Sequence, residues 1–480
     1  MSGPPVTAQY PTAPLPRPDR ADPGVAGWTR TLLIAVAVGV AFADSSIVVL
    51  ALPELLSRFD TTITAVSWVV TSYNVTVAVL ALILVPMMAS RRAGAMRLHP
   101  VRLTRIGLVV FCAASLTCAL AGDLGVLIGA RAVQGAGAAM LLAGSVPLLA
   151  VVAGSPARGA VVWGIAGVMG AALGPALGGA LTQVFDWRSI FIAQVPLAAA
   201  ALLATFRVEV PAPAAVADGA GDRAVRLPAG AALALVSAAL VGALFLSVVL
   251  MIDGWGHAPL LAAAIVSALP AGALLAGPVV RASAPRVAVC GGIVLVGGAL
   301  AAMALLPEPS LALLCIALAL CGLGLGLCMP ALTEASLRGP SLAASGTWSV
   351  GARHAGLVLG LVLLTPLLSS DLADVADRAQ LAGASALIDA PLSIEEKVAV
   401  GEALEQAIDT APAGEVPDLA PALAAGGDPG DPARIALGER LEELISATIT
   451  RGFRNAFILC AVLAALALVP VALLRRGSLR

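Results

Sequence analysis

Charge is what this chain has least of. Only 12% of its 480 residues are Asp, Glu, Lys or Arg, about half the share of an ordinary soluble domain. The formal net charge of −1 offers no basic surface for a nucleic acid. Histidine is nearly absent, at 3 residues, and the 7 cysteines (112, 118, 290, 315, 321, 328 and 460) all fall in apolar stretches without a CxxC pair. No metal site and no disulfide framework is expected from them; they read as small buried hydrophobes. No P-loop occurs, so ATP is not the expected energy source, and no catalytic constellation speaks for an enzyme. No cofactor is called for.

What the chain does have is hydrocarbon. Hydrophobic residues make up 59% and mean hydropathy is +0.98. Several apolar runs exceed the roughly 20 residues that cross a bilayer core. They are long, unalternating and rich in Leu, Ala and Gly, which indicates helices rather than a barrel. The expected class is an all-α polytopic membrane protein with the lipid bilayer as its solvent. No cleavable signal precedes the first apolar run, and Pro-rich residues 1–30 read as a disordered tail.

Twelve spans are expected, near 31–53, 64–88, 103–121, 124–151, 159–183, 189–206, 228–250, 259–280, 286–306, 309–332, 343–369 and 453–474. They divide into an N-terminal six-helix bundle (31–206), a polar linker (207–227) and a C-terminal six-helix bundle (228–480). That is the arithmetic of two parallel repeats. With both termini cytoplasmic, the inner segments hold 18 Arg and the short outer loops only Arg58 and Arg188. This asymmetry satisfies the positive-inside rule at every loop.

Residues 370–452 form an acidic insertion placed outside by this topology; 370–454 carries 16 acidic and six basic residues. Ser393-Ile-Glu-Glu396 looks like a capping box opening a short helix, and 434–451 like a helix running into the last span. Two readings stand: a tolerated surface insertion, or an outer cap that attracts cations or a partner.

Within the fifth span, Gly164–Ala180 reads GIAGVMGAALGPALGGA, with Gly170, Gly174 and Gly178 four apart and Gly179 beside them. On a helix these line one face and let a neighbour approach backbone to backbone. Pro175 removes one internal hydrogen bond, which a membrane helix tolerates when neighbours re-satisfy the backbone. The stretch is either a tight packing seam or one that must slide.

Charge inside hydrocarbon is expensive and marks function. Asp44 lies about 13 Å and Arg131 about 11 Å from the outer ends of their helices at about 1.5 Å per residue. They could share a layer, either as a fixed ion pair or as a carboxylate whose protonation is tuned by the arginine. Arg353 and His354 lie mid-span in the eleventh helix. Tyr73, Asn74, Gln134 and Gln194 add polar groups; any one of them reads first as an inter-helix hydrogen bond, while together with Asp44, Arg131, Arg353 and His354 they imply a hydrated interior whose lining they would share. Asp253, Trp255 and His257 read as interfacial turn residues at the outer end of the seventh span.

These residues resemble the major facilitator superfamily, and within it the drug:proton antiporter branch that usually has fourteen helices. Asp44–Pro53 (DSSIVVLALP) resembles the branch's first-helix motif and Trp68–Tyr73 (WVVTSY) its second-helix start. Leu127–Ala138 (LIGARAVQGAGA) is similar to the fourth-helix motif, with Arg131 in the arginine's place. Gly170–Gly179 (GAALGPALGG) is similar to the antiporter motif, followed by Trp187-Arg188 and Phe191. Gly322–Pro330 and Ala344–Gly360 also match. Two departures stand out. The loop between the second and third helices keeps Arg91 and Arg92, which gate the cytoplasmic side in the family, but has Ser90 where an acid is usual. The two extra central helices are replaced by the linker.

The resemblance implies a major-facilitator fold and proton-coupled export of small amphipathic or cationic molecules across the cytoplasmic membrane by a monomer. The proton gradient would supply the energy, with Asp44 as proton or cation site and Arg131 tuning it. The alternatives are an exporter of one specific metabolite, which the 4% aromatic content favours slightly, and a non-transporting sensor or scaffold on the same fold.

Overall fold

The computed structural model describes residues 24–89, 99–206, 208–210, 220–306, 309–338, 341–410, 420–425, 427–428 and 431–474. Arg91 and Arg92 of the expected gate loop lie outside them, as does most of the linker. The described residues are helical almost throughout, in chain order α1 Gly24–Arg58, α2 Ile63–Ala89, α3 Pro100–Ala119, α4 Leu124–Val152, α5 Pro156–Val184 and α6 Arg188–Ala204. The second half runs α7 Ala220–Val249, α8 Pro259–Ala282, α9 Pro285–Ala304, α10 Leu311–Ser336 and α11 Leu342–Asp389. It ends with α12 Ile394–Thr410 and α13 Pro432–Leu473.

Ten of these helices are long and apolar enough to span a membrane. The other two expected spans are present but unusual. α5 bends by 41° between Arg158–Ala171 and Leu173–Val184, and counting it as one span makes eleven. α6 has 17 residues, the short end of what can cross. The bend has a cause in the sequence: Pro175 cannot donate to the Ala171 carbonyl. Ser46 Oγ of α1 reaches that carbonyl instead, at 3.4 Å.

Starts and stops follow local chemistry. Asp123, Ser155, Ser310 and Ser341 cap α4, α5, α10 and α11 by accepting the backbone N–H three residues on, which removes orphan donors from the first turn. α7 begins at Ala220, inside the segment expected to be linker. Past its Val249 end, Leu250–Gly254 forms a π-turn, and Trp255 there donates from Nε1 to Thr450 Oγ1 at 3.0 Å.

α11 continues well beyond the membrane and stops only where Pro391 forces Ala390 into an extended conformation. Together with α12 and the start of α13 it builds a small cap around Ala386, Leu387, Ala390, Val400, Leu437 and Leu441. The acidic insertion is thus a folded helical unit. Its capping box is formed as the sequence indicates. The Ser393 backbone N–H and hydroxyl donate to Glu396 Oε2 at 2.9 and 2.7 Å, and the Glu396 N–H donates back to Ser393 Oγ at 3.3 Å.

The halves meet at both faces. At the end remote from the cap, Leu84 and Met88 of α2, Leu103 of α3 and Ala143 of α4 pack with Ala343 and Ala344 of α11. At the cap end the outer parts of α1, α2 and α6 merge with α7 and α8 into one apolar cluster, and α5 lies on α8 at Gly179 and Ala263. Between these two closures α11 runs along α2.

Candidate functional site

The first-half charges meet in a closed circuit. Arg131 Nη1 donates to Asp44 Oδ2 and, at 2.6 Å, to Gln134 Oε1; its Nε donates to the Val69 carbonyl at 2.9 Å. Gln194 Nε2 donates to the other carboxylate oxygen, Asp44 Oδ1, at 2.6 Å. Gln134 Nε2 donates to Gln194 Oε1 at 2.8 Å and to Ser115 Oγ at 2.9 Å. Five helices, α1, α2, α3, α4 and α6, each contribute one or more groups. Arg131 and Gln134 can act together because residues three apart share a helix face. Aromatic rings close the sides: the guanidinium lies 4.4 Å from the centre of Tyr73 and 5.7 Å from that of Phe191. Tyr73 is fixed in turn by its hydroxyl, which donates to the Ala41 carbonyl at 2.7 Å.

Asp44, Arg131, Tyr73, Asn74 and Gln134 are 0% exposed and Gln194 is 4% exposed. Tyr73, Asn74, Gln134 and Gln194 each make the inter-helix or local hydrogen bonds that polar residues in a span are expected to make, and in this arrangement they are folded into the interior of the N-terminal bundle. The physical reason is satisfaction: a carboxylate and a guanidinium in hydrocarbon need every nearby donor and acceptor, and the amides supply them. Asn74 joins at the edge, its Oδ1 accepting from Ser45 Oγ at 3.0 Å while its Nδ2 donates to the Val70 carbonyl at 2.8 Å. Both oxygens of Asp44 are engaged, Oδ2 by Arg131 and Oδ1 by Gln194.

Arg353 and His354 lie elsewhere, where α11 faces the N-terminal half. The Arg353 guanidinium stacks 4.9 Å from the centre of Phe42 on α1. Phe42 meets Trp163 of α5 edge to face at 5.4 Å and the His354 ring at 6.1 Å. His354 also approaches Tyr73, at 6.4 Å. Trp163 is anchored by its Nε1, which donates to Ser145 Oγ at 3.1 Å. Tyr73 therefore touches the Asp44 circuit on one side and the other half of the molecule on the other.

This second cluster is not satisfied. Arg353 Nε and His354 Nε2 are buried without a hydrogen-bond partner. Among the described residues no carboxylate lies within ion-pairing distance of Arg353. His354 Nδ1 is 3.0 Å from the Val350 carbonyl, so in a neutral ring Nδ1 carries the proton and Nε2 is left as an acceptor.

The glycine face packs against α1. A Cβ on Gly170 would collide with the Gly39 carbonyl, one on Gly174 with Ser46, and one on Gly178 with the Ile47 carbonyl. Gly167, one turn earlier, faces the Phe42 ring, against which a Cβ there would press. Gly179 turns away from this line and meets Ala263 of α8. The stretch therefore holds α1 and α5 in backbone contact and touches the second half at one end.

Phe42, Trp163 and Ser115 were not singled out by the sequence reading. A signal for the first two existed: in a chain with 6 Trp and 9 Phe, an aromatic residue mid-span among Ala and Gly is unusual. Nothing marks Ser115, because a serine bonded to its own helix looks the same.

Comparison with known proteins gives the family. The methylenomycin A resistance protein of Streptomyces coelicolor is 33% identical over 276 residues, covering 55% of this chain and 52% of that protein. The methylenomycin A resistance protein of Bacillus subtilis is 33% identical over 183 residues, 37% of this chain and 38% of that one. The multidrug resistance protein Stp of Mycobacterium tuberculosis is 32% identical over 222 residues, 45% of this chain and 38% of that one. The chain thus spans about half or less of the curated relatives it matches. A bacterial homolog of the human lysosomal transporter Spinster, solved inward-facing and unoccupied, shares the fold with a TM-score of 0.60 at 17% identity, over 94% of this chain and 98% of that one. The model of the Major Facilitator Superfamily matches residues 34–370, and the chain, a multi-pass membrane protein with ten long apolar helices among its described residues, belongs to that superfamily.

Proposed function

We propose that this chain is a secondary active exporter that exchanges protons for small amphipathic compounds across the cytoplasmic membrane, as a monomer with both termini inside. The single observation that carries the reading is the sealed Asp44–Arg131 pair, coupled through Tyr73 to the face of the other half. A neutral pair is stable in this setting, whereas a protonated Asp44 no longer holds Arg131 Nη1. Arg131 Nη2 already lacks a partner, so loss of the Asp44 bond leaves the guanidinium held only by the Val69 carbonyl and Gln134, and it can shift over Tyr73. The Tyr73 hydroxyl is tied to Ala41, the residue before Phe42. Movement at the ion pair therefore reaches the ring on which Arg353 rests.

Of the two roles open to Asp44, its burial behind Tyr73 and away from α11 favours proton binding over substrate recognition. The tightly packed face of α1 against α5, Gly170, Gly174, Pro175 and Gly178, acts as the joint along which α1 moves. One proton running down the membrane potential supplies about 2.3 kcal/mol per 100 mV. Drug-resistance names among the relatives agree with export, and the arginine asymmetry of the loops supports the orientation. A narrower reading, export of one metabolite, is favoured by the compact ring cluster of Phe42, Trp163, Tyr73 and His354.

The test uses inverted membrane vesicles carrying the full chain, with an imposed proton gradient and fluorescent amphipathic dyes of both charge signs. Gradient-driven accumulation that Asp44→Asn abolishes is expected. Accumulation unchanged by Asp44→Asn would remove Asp44 from the coupling. Accumulation that ignores the gradient would remove proton exchange altogether.

A further inference from the structure

Resting on the transport reading, we propose that Arg353 is an anion-recognition site between the two halves. The exported compounds on this view carry a carboxylate or a similar acidic group beside a flat apolar body.

Within the spans, Asp44 and Arg131 neutralise each other inside the first half. Arg353 is left as a positive charge that does not deprotonate in proteins. Its neighbours among the described residues include Phe42 under the guanidinium, with Trp163, Tyr73 and His354 around that ring. A π face offsets only part of the cost of an interior cation. Its Nε has no acceptor although it is buried. An isolated interior arginine persists where function uses it, and what satisfies a guanidinium best is a planar anion that accepts its N–H fork.

Geometry sets the rest of the ligand. Trp163, Phe42, His354 and Tyr73 form a chain of rings with successive centres 5.4, 6.1 and 6.4 Å apart, and such an aromatic wall suits a flat aromatic or conjugated body. Arg353 sits on the half opposite to Phe42 and Trp163, so a ligand bound to both is gripped from both sides. Among the described residues no carboxylate faces Arg353 to receive a cationic substrate, and Asp44 is engaged by Arg131 and Gln194 behind Tyr73.

A matched set of probes tests this on the purified full chain in detergent, without any gradient, by calorimetry. The set is 2-naphthoate, 2-naphthamide and 2-naphthylmethylammonium, which share a ring system and differ in charge. Saturable binding of naphthoate, at least about tenfold tighter than the ammonium, is expected, since a charge-assisted fork is worth about that or more. Arg353→Gln should weaken naphthoate about tenfold or more and leave the amide unchanged, and Arg353→Lys should recover part of the loss. Naphthoate binding Arg353→Gln as tightly as wild type would overturn the proposal. So would preference of the wild type for the ammonium, or the absence of saturable naphthoate binding. The wild-type charge preference needs no variant, so a misfolded Arg353→Gln does not remove the test. Because binding is read without a gradient, naphthoate binding in a chain that fails to couple protons would sink the exchange reading and leave this one standing.

Discussion

The two halves of the molecule are built alike and charged differently. In the first, α1 and α5 touch where Gly170 meets Gly39, and α3 and α4 where Gly137 meets Gly107. In the second, α7 and α11 touch where Gly356 meets Ala234, and α9 and α10 where Gly324 meets Gly292. Small residues bring backbones together at corresponding crossings, as lipid-embedded helices require. The interiors then diverge. The first half encloses a hydrogen-bonded charge circuit, while the second encloses leucine, alanine and Cys321, Cys328 and Cys460. Its one mid-span cation projects outward, to the first half. Arg353 precedes Gly356 by three residues as Gly167 precedes Gly170, and both positions meet Phe42. A repeated scaffold thus carries divided chemistry: one half stores a neutral pair and the other presents an unpaired charge.

The largest effect should come from breaking that division at its strongest point. Arg131→Met leaves the Asp44 carboxylate buried without its counter-charge, which costs about 3–5 kcal/mol. Arg353→Met removes a charge that has no partner to strand, and its effect on stability should be neutral or favourable. Unfolding of the two purified variants by titration with a denaturing detergent compares them directly. Equal losses would mean that Arg353 is as structural as Arg131, and the contrast between the halves would fall.

Much of this contrast was legible in the sequence. Asp44 and Arg131 could be placed in one layer from helix rise alone, because a helix fixes depth per residue. Gly170, Gly174 and Gly178 announced a close contact by their spacing. What the sequence could not give was direction. Gln134 and Gln194 are polar residues at similar depths to Arg353, and depth does not say whether a side chain points into its own bundle or toward the other. That is decided by helix rotation, which periodicity in an all-apolar span does not encode. The partner of the glycine face was hidden for the same reason. In the acidic insertion the capping box and the two helices that follow it are as expected, because these signals are local, whereas the run of α11 on to Asp389, beyond the expected end at 369, was not foreseen. The insertion's small core was missed because Leu387 and Leu437 are far apart in the chain.

The crossings themselves give an intermediate effect. Gly170→Leu forces a side chain into the Gly39 backbone, and Gly356→Leu does the same at Ala234. Each should cost about 1–3 kcal/mol, and the two should agree if the scaffold is repeated. Gly164→Leu lies on the same helix as Gly170 with nothing within 4 Å of a new Cβ, and should change stability little. The same detergent titration reads all three. A large loss at Gly164, or a marked inequality between Gly170 and Gly356, would show that the crossings are not equivalent.

The smallest effect lies outside the membrane, in the cap that only the second half carries. The Ser393 hydroxyl and N–H, with Arg434 beyond them, hold the Glu396 carboxyl down to about 2 from an ordinary 4.5. Arg434 is itself buried, donating to the Leu423 and Ala425 carbonyls at 2.8 and 2.7 Å and to Glu396 at 3.1 Å. A carboxyl whose folded value is depressed contributes fully above pH 4.5, and its contribution is lost as pH falls toward 2. Hydrogen exchange of α12 peptides in the intact chain, corrected for intrinsic rates, should therefore speed up between pH 4.5 and 2, while peptides from α4 around Arg131 stay protected. Glu396→Gln should raise α12 exchange already at pH 7 and flatten its acid dependence. Acid-sensitive exchange that Glu396→Gln leaves intact would locate the titrating group elsewhere among the cap's many carboxylates, and would leave the Ser393–Glu396–Arg434 link a contact without consequence for the cap.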